Sequence, residues 1–207
     1  MEDVLDLYAE PYDPDRPVVG FDERPLQLTA ETRTPLPAQP GRPRRFDYEY
    51  QRKGTGNVFT TIEPLAGWRH VAVTERRTAV DFAHQMRWLV DQAYPKAQVI
   101  RVVLDNLNTH DAASLYAAFP APEARRLVRK LEFHHTPKHG SWLNIAECEL
   151  AVLVTQCLDR RLPDLGTVAR EVAAWETRRN RDRPTVQWHF TTAQARRKLR
   201  HLYPYPA

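Results

Sequence analysis

The sequence predicts an α/β domain in which helices flank a mixed sheet of about five strands. Short runs of apolar and β-branched residues, typical of buried strands, alternate along the chain with longer segments of helical periodicity. The chain has 207 residues, a length that suits one substantial domain. Its 42% hydrophobic and 27% charged residues are ordinary for a globular protein.

The predicted elements follow the order strand, β-hairpin, helix, strand, helix, strand, helix, helix. We expect strands at residues 17–22, 57–63, 68–74, 98–104 and 131–135. We expect helices at residues 78–93, 108–130 with a break near Pro120, 141–158 with Ser141 as the N-cap, and 165–180. Strands followed by alternating helices and strands indicate a mixed sheet with helices on its faces.

The remaining segments suggest how the domain is bounded. Residues 1–16 are acidic and contain prolines, so we interpret them as a linker remnant that precedes a domain at residues 17–180. Residues 24–56 contain many prolines, glycines and charges, which predicts a long basic loop. Residues 181–207 are interpreted as a basic C-terminal tail.

The composition also excludes several classes of site. No run approaches the roughly 20 apolar residues of a membrane span, and the N-terminus has no signal-peptide pattern, so we expect an intracellular protein. Two cysteines are too few for a cysteine-rich zinc site. Cys148 and Cys157 lie nine positions apart on one predicted helix and point in opposite directions, so no disulfide is expected between them.

The charge distribution is compatible with a nucleic-acid partner. The net charge is +4 and the sequence pI is about 9.2. Residues 41–53 contain five Lys or Arg against two acids, with three aromatic residues between them, and residues 196–200 form a second basic cluster. Basic side chains neutralise phosphates and aromatic rings stack on bases, although a solvated loop and a solvated helix face explain the two clusters equally well.

One glutamate stands out on the predicted helix 141–158. At about 100° per residue, a helical wheel that starts at Leu143 places Glu147 inside the apolar stripe and Glu149 outside it. A carboxylate on the core-facing side is costly unless it is paired or binds a metal ion. Glu147 is therefore predicted to be functional, and the alternative is an acid at the edge of the core that pairs with an arginine.

Two aspartates follow predicted strands. Asp105 ends the strand 98–104, and Asp22 ends the first strand, on the side of Val18 and Gly20 and opposite to Glu23. Ligands bind at such strand ends in open α/β sheets, although a turn residue and an ordinary strand exit are the alternatives. Oxygen-rich pockets suit Mg²⁺ or Mn²⁺, and two such ions can clamp the attacking and leaving oxygens of a phosphodiester.

Three segments resemble the signature motifs of a known family: VVGFDERPLQL, VLDNLNTH and HHTPKHGSWLNIAECEL. They are similar to DDE transposases of the IS-six-thirty insertion-sequence group, the bacterial branch of the mariner superfamily. The similarity extends from about Tyr12 to Tyr203. It implies a ribonuclease-H-like fold with the catalytic, metal-binding acids Asp22, Asp105 and Glu147, and a cofactor of Mg²⁺ or Mn²⁺, as two ions.

The resemblance also implies a reaction and partners. DNA is cleaved at transposon ends, which releases a 3′ hydroxyl that then attacks target DNA, and the enzyme acts as a homodimer in the bacterial cytoplasm at the nucleoid. Family members usually have an N-terminal helix-turn-helix domain that recognises the ends, which we expect to be absent here, so that a separate polypeptide is one candidate for that role. Asp105 and Glu147 are 42 positions apart, farther than in eukaryotic mariner relatives.

Further residues are expected around the acids. Candidates for orienting the carboxylates are Asn106, His110 and Asn144, for which helix capping and packing are the alternatives. Candidates for DNA binding are Arg42, Arg44, Arg45, Arg52, Lys53, Lys138 and His139. Two other functions compete with the transposase: a non-catalytic or decayed DNA-binding derivative of the same fold, and a two-carboxylate hydrolase such as a glycosidase, which needs no metal ion.

Overall fold

The structure, a computed structural model, describes residues 1–203 and contains one five-stranded sheet in the order β3-β2-β1-β4-β5. The strands are β1 Val18–Glu31, β2 Tyr50–Glu63, β3 Trp68–Thr74, β4 Ile100–Leu104 and β5 Leu131–His135. β1, β2 and β3 are antiparallel neighbours, whereas β4 lies parallel to β1 and β5 lies parallel to β4. The predicted mixed sheet of five strands is confirmed.

Seven α-helices connect and cover the strands within the described residues. They are α1 Glu2–Ala9, α2 Ala79–Trp88, α3 Ala112–Ala118, α4 Ala121–Val128, α5 Ile145–Leu153, α6 Leu165–Asp182 and α7 Thr192–Lys198. A π-helical turn extends α2 to Ala93 and another extends α5 to Leu158, and a 3₁₀ turn, Ser141–Leu143, precedes α5. None of the described helices is long and apolar enough to cross a membrane. Cys148 and Cys157 are both free, as expected.

The helices form one layer on each face of the sheet. On one face, α2, α3 and α4 pack against the sheet through a cluster that includes Phe21, Phe82 and Leu115. On the other face, α5 and α6 pack through a cluster that includes Leu150 and Val172. All five residues of β4 are buried, as expected for a strand covered on both faces.

The first residues form a packed helix, which corrects the interpretation of residues 1–16 as a linker remnant. Val4 and Leu5 of α1 are buried in a cluster with residues of β4 and α7. The Arg196 guanidinium of α7 donates two hydrogen bonds to the Glu2 carboxylate, at 2.8 and 2.7 Å. The predicted basic tail at 181–207 is helical at residues 192–198, where Ala195 is buried, while residues 204–207 lie outside the described part of the chain.

Nearly half of the predicted loop at 24–56 is the paired part of a β-hairpin arm. β1 and β2 stay paired from Gly20 opposite Ile62 to Glu31 opposite Tyr50, so only residues 32–49 connect them. Pro25 does not break β1, because β4 pairs with β1 only at Val18–Gly20. Pro25 therefore lies where β1 has β2 on one side only, and an edge position tolerates the missing N–H.

Candidate active site

Asp22 and Asp105 lie side by side on neighbouring strands. In the parallel pairing of β1 with β4, Gly20 is opposite Val103, and each aspartate follows two residues later. Adjacent strands are about 4.8 Å apart, so this register brings the two carboxylates to one level of the sheet. Asp22 does not end its strand as predicted, because β1 continues to Glu31; what ends just before Asp22 is the pairing with β4.

Asp22 is a partly buried acid among other acids. Its Oδ1 accepts a hydrogen bond from the Glu23 amide at 2.8 Å. Burial, together with the negative charges of Asp105, Glu23 and Glu147, raises the pKa of Asp22 to about 7 against the lowering effect of that hydrogen bond. Asp22 is therefore close enough to Asp105 and Glu147 to be repelled by both.

Asp105 is held by a buried histidine from the loop between β4 and α3. His110 Nδ1 lies 2.6 Å from Asp105 Oδ1, and the Leu107 amide donates to the same oxygen at 3.4 Å. The His110 contact lowers the pKa of the Asp105 carboxyl. Although burial lowers the pKa of the His110 imidazole, the adjacent carboxylates of Asp105 and Glu23 raise it to about 9.

The N-terminus of α5 sits directly on β1. The Asn144 side-chain amide donates to the Phe21 carbonyl at 2.8 Å, and its Oδ1 accepts from the Ala146 amide at 3.1 Å, which caps the helix. Gly20 permits this close approach, because a Cβ atom at Gly20 would lie 2.6 Å from Ile145 Cγ2. The first turn of α5 is thereby fixed over the part of β1 that precedes Asp22.

The two glutamates of α5 have the opposite exposure to that predicted. Glu147 is exposed, whereas Glu149 is buried, with 2% of its side chain accessible. Glu149 accepts two hydrogen bonds from the Arg179 guanidinium, both at 3.0 Å, and lies 3.1 Å from Nε of the fully buried Arg69. The helical-wheel reason for choosing Glu147 is therefore wrong, and the core-facing acid of this helix is a structural ion-pair partner.

The error comes from the local helix geometry. The wheel assumed one continuous α-helix over 141–158, but Leu143 lies in a 3₁₀ turn and Cys157 lies in a π-helical turn. Both kinds of turn change the angle between successive side chains. Within α5 itself, the buried positions are Ile145, Ala146, Glu149, Leu150 and Leu153.

The carboxylates fit a divalent cation in their chemistry. Asp22, Asp105 and Glu147 are hard oxygen donors. Burial and the neighbouring negative charges raise the pKa of Asp22, and a bound cation would offset both effects. Among residues 1–203, however, no three His, Cys, Asp or Glu side chains converge closely enough to hold a metal ion. The side chains would therefore have to move to bind one, and the exposed Glu147 has the room to do so.

The other predicted residues fall into two groups. His110 contacts Asp105, and Asn144 holds α5 on β1, whereas the Asn106 side chain donates to the Thr136 carbonyl at 3.0 Å. The candidates for DNA binding are all exposed: Arg42, Arg44 and Arg45 in the loop of the hairpin arm, Arg52 and Lys53 on β2, and Lys138 and His139 between β5 and α5.

Sequence reasoning missed Glu23. It lies on the face of β1 opposite to Asp22, as the strand alternation predicts, but its side chain is only 4% accessible and its Oε2 is 2.9 Å from His110 Nε2. The available signal was that β1 is covered on both faces. An acid on either face of such a strand needs a partner.

Comparisons with known proteins identify the family. The model of the DDE superfamily endonuclease family matches residues 17–169. Two solved structures are similar to the chain: the Mos1 mariner paired end complex with Mn, at a TM-score of 0.54 and 15% identity, and the Mos1 strand transfer complex, at 0.53 and 13%. No curated protein sequence gives a significant match.

The alignments cover most of this chain but a smaller part of the relatives. They include 87% and 82% of this chain, and 56% and 52% of the two Mos1 chains, so the chain spans about half the length of those proteins. At these identities the likeness shows the fold alone, which is the predicted ribonuclease-H-like fold. The match over residues 17–169 shows more, and the chain belongs to the DDE superfamily endonuclease family.

Proposed function

We propose that this chain is the catalytic domain of a DNA transposase of the IS-six-thirty group, with Asp22, Asp105 and Glu147 as its catalytic acids. The observation that supports this most is the common level of Asp22 and Asp105 on adjacent parallel strands, with α5 packed beside them. The negative charge of Glu147 contributes to the raised pKa of Asp22, which supports a role for Glu147 beside the two aspartates. The family match adds phosphodiester chemistry to that arrangement.

In this proposal the three acids hold Mg²⁺ or Mn²⁺, as two ions. When bound, such ions supply Lewis-acid stabilisation of the charge that develops on the scissile phosphodiester. The residues around the acids prepare the site. His110 fixes one oxygen of Asp105, and Asn144 fixes the start of the helix that contains Glu147.

The reaction needs no covalent enzyme intermediate. Water attacks the phosphorus at the transposon end, the bond to the 3′ oxygen breaks, and a 3′ hydroxyl is released. That hydroxyl then attacks a phosphorus of target DNA and displaces another DNA oxygen, so one phosphodiester replaces another. Positioning and charge stabilisation are sufficient for such transfers.

The exposed basic residues are the proposed contacts to DNA. The loop of the hairpin arm combines Arg42, Arg44 and Arg45 with the exposed rings of Phe46 and Tyr48. Charges of this kind bind phosphates in a salt-dependent way, and rings stack on bases. We further propose a homodimer on DNA, a separate polypeptide for recognition of the ends, and a bacterial cytoplasmic protein that associates with the nucleoid.

Nicking of a supercoiled plasmid that carries the flanks of the coding sequence, in Mn²⁺ or Mg²⁺, tests the proposal. We expect Asp105→Ala and Glu147→Ala to lower nicking by roughly 100-fold or more, the loss typical of removing one electrostatic partner of a transition state. Asp159→Asn is the matched control, because it removes an exposed acid just beyond the π-helical turn and should leave nicking unchanged.

Other results would favour the competing functions. Nicking that persists in both purified alanine variants would refute the assignment of the acids. Plasmid binding without nicking by the wild-type protein, in either metal ion, would favour a non-catalytic derivative of the fold. Hydrolysis of a small substrate in the presence of a chelator would favour the metal-independent hydrolase.

A further inference from the structure

Glu23, His110 and Asp105 form a row of three contacting side chains. His110 Nδ1 lies 2.6 Å from Asp105 Oδ1, and His110 Nε2 lies 2.9 Å from Glu23 Oε2. The two outer groups differ in accessibility, since the Glu23 side chain is 4% accessible and that of Asp105 is 33%. The row therefore leads from the core of the domain to the carboxylate that faces solvent.

The packing around His110 fixes the plane of its ring. The imidazole is 1% accessible, with the Phe82 ring centroid at 4.9 Å and the Phe21 ring centroid at 5.7 Å. The His110 carbonyl contacts His135 Nε2 at 2.8 Å, which also holds the backbone of this loop. Because the His110 ring is confined, a change at Glu23 is expected to alter the position of the ring and hence of the Asp105 carboxylate.

The contacts of His110 with Asp105 and with Glu23 are ion pairs with poor hydrogen-bond angles. A carboxylate oxygen has no proton to donate, so each ring nitrogen of His110 faces its carboxylate as an N–H group. The N–H bonds do not point straight at Asp105 and Glu23, and the contacts are ion pairs at short distance more than linear hydrogen bonds. A buried ion pair is costly unless each charge has its partner, so Glu23 compensates the charge that His110 presents to Asp105.

Two other buried acids show what distinguishes Glu23. Glu149 pairs with Arg69 and Arg179, and Glu63 accepts a hydrogen bond from the Tyr94 hydroxyl at 2.8 Å. Neither of these pairs contacts one of the three signature acids through its partner. The Glu23 pair does, because its partner also touches Asp105.

We propose that Glu23 is a positioning residue that acts through His110 to orient the Asp105 carboxylate for a divalent metal ion. The proposal rests on the proposed function, in which Asp105 is a metal ligand. The contacts from His110 and from the Leu107 amide both fall on Oδ1, so we assign Oδ2 to the cation. Groups that orient a metal ligand typically contribute 10- to 100-fold to metal affinity or activity.

The test measures Mn²⁺ affinity directly, on the full chain, by electron paramagnetic resonance of free Mn²⁺ with and without plasmid DNA. We expect Glu23→Gln, which keeps the shape and removes the charge, to weaken Mn²⁺ binding by 10- to 100-fold. Glu63→Gln is the matched control, since it also replaces a buried acid on a neighbouring strand, and it should change the affinity less than twofold.

A double-mutant cycle separates positioning from general destabilisation. If Glu23 acts through His110, then Glu23→Gln has no further effect on Mn²⁺ affinity in a His110→Gln background. Additive effects in the cycle, or wild-type Mn²⁺ affinity in the single variants, would overturn the proposal. Circular dichroism before each titration confirms that every variant is folded, and the His110→Gln single variant tests the same link if Glu23→Gln does not fold.

The variant Asp105→Asn distinguishes a wrong role for Glu23 from a wrong proposed function. If Asp105→Asn abolishes Mn²⁺ binding and plasmid nicking while Glu23→Gln changes neither, only the role of Glu23 is refuted. If Asp105→Asn itself leaves both measurements unchanged, then Asp105 is not a metal ligand and the proposed function is refuted with it.

Discussion

Helix α5 places two glutamates, two residues apart, in opposite environments. Glu149 faces the core and is enclosed by the guanidinium groups of Arg69 and Arg179. Glu147 faces solvent and the carboxylates of the sheet, where its charge contributes to the raised pKa of Asp22. Glu149 is therefore neutralised by two guanidinium groups, whereas Glu147 lies near other acids.

The difference shows what burial says about an acid. A buried carboxylate must be paired in the folded protein, and the two guanidinium groups around Glu149 meet that need within the core. An exposed carboxylate beside other acids is the one that can bind a cation. On α5 the buried, paired carboxylate is Glu149 and the exposed carboxylate near other acids is Glu147, so stability and the proposed chemistry can be tested separately.

The largest expected effect on stability is at Glu149. Glu149→Gln leaves the charges of Arg69 and Arg179 without a counter-ion, and we expect the free energy of unfolding to fall by about 3–5 kcal/mol. Glu147→Gln changes an exposed side chain, and we expect a change within about 0.5 kcal/mol. Urea denaturation monitored by circular dichroism measures both variants.

Equal losses of stability in the two variants would contradict the comparison. So would an intact free energy of unfolding in Glu149→Gln, which would mean that the ion pairs with the two arginines contribute nothing. Wild-type stability combined with lost nicking in Glu147→Gln would give the sharpest support for the separation.

The next largest effect is a pH dependence of the free energy of unfolding, caused by Asp22, which lies near Glu147. Asp22 keeps its proton in the folded protein up to about pH 7, whereas the unfolded chain loses it near pH 4. The folded state therefore loses stability as the pH rises through this interval. At 1.36 kcal/mol per pH unit, we expect Asp22 alone to contribute a loss of roughly 2–3 kcal/mol between pH 5 and pH 8 in a chelator.

Asp22→Asn is the control for this dependence, because asparagine has no proton to lose. In that variant we expect the contribution of Asp22 to disappear. The remaining losses come from Glu63, whose pKa burial raises, and, above about pH 6.5, from His110, whose pKa is raised to about 9. An identical pH profile of the free energy of unfolding in wild type and Asp22→Asn would contradict the assignment of the raised pKa to Asp22.

The comparison also shows which features could be predicted from the sequence. The strands were predictable because apolar, β-branched runs have one plausible structure, and β3 and β5 have the expected bounds, residues 68–74 and 131–135. The side of β1 on which Asp22 lies followed from simple alternation. The identity of Asp105 as the acid after a buried strand also needed no tertiary information.

Other features depend on tertiary contacts that no local pattern contains. The exposure of Glu147 and Glu149 was reversed because the 3₁₀ and π-helical turns beside α5 alter the helical period. Helix α1 was missed because it has only eight residues and its apolar side chains are buried by packing against β4 and α7. The role of Glu23 depends on His110, which is 87 positions away in the sequence.

The smallest expected effect on stability is at Gly20, where α5 contacts the sheet. A change there would move the whole start of the helix that contains both Glu147 and Glu149. A Cβ atom at Gly20 would lie 2.6 Å from Ile145 Cγ2 and 3.1 Å from the Ala146 backbone nitrogen. We expect Gly20→Ala to displace the start of α5 and to lower the free energy of unfolding by about 1–3 kcal/mol, as overpacking does.

The displacement should affect the proposed chemistry more than the fold. A shift of about 1 Å in a catalytic group can lower a rate by roughly 100-fold, so nicking by Gly20→Ala should fall at temperatures where the variant is fully folded. Ile145→Ala removes the nearest obstructing atom, and its effect on stability should be less than additive with Gly20→Ala. Nicking at the wild-type rate in Gly20→Ala, with its stability lowered as expected, would show that the distance between Glu147 and the aspartates is not set by this contact.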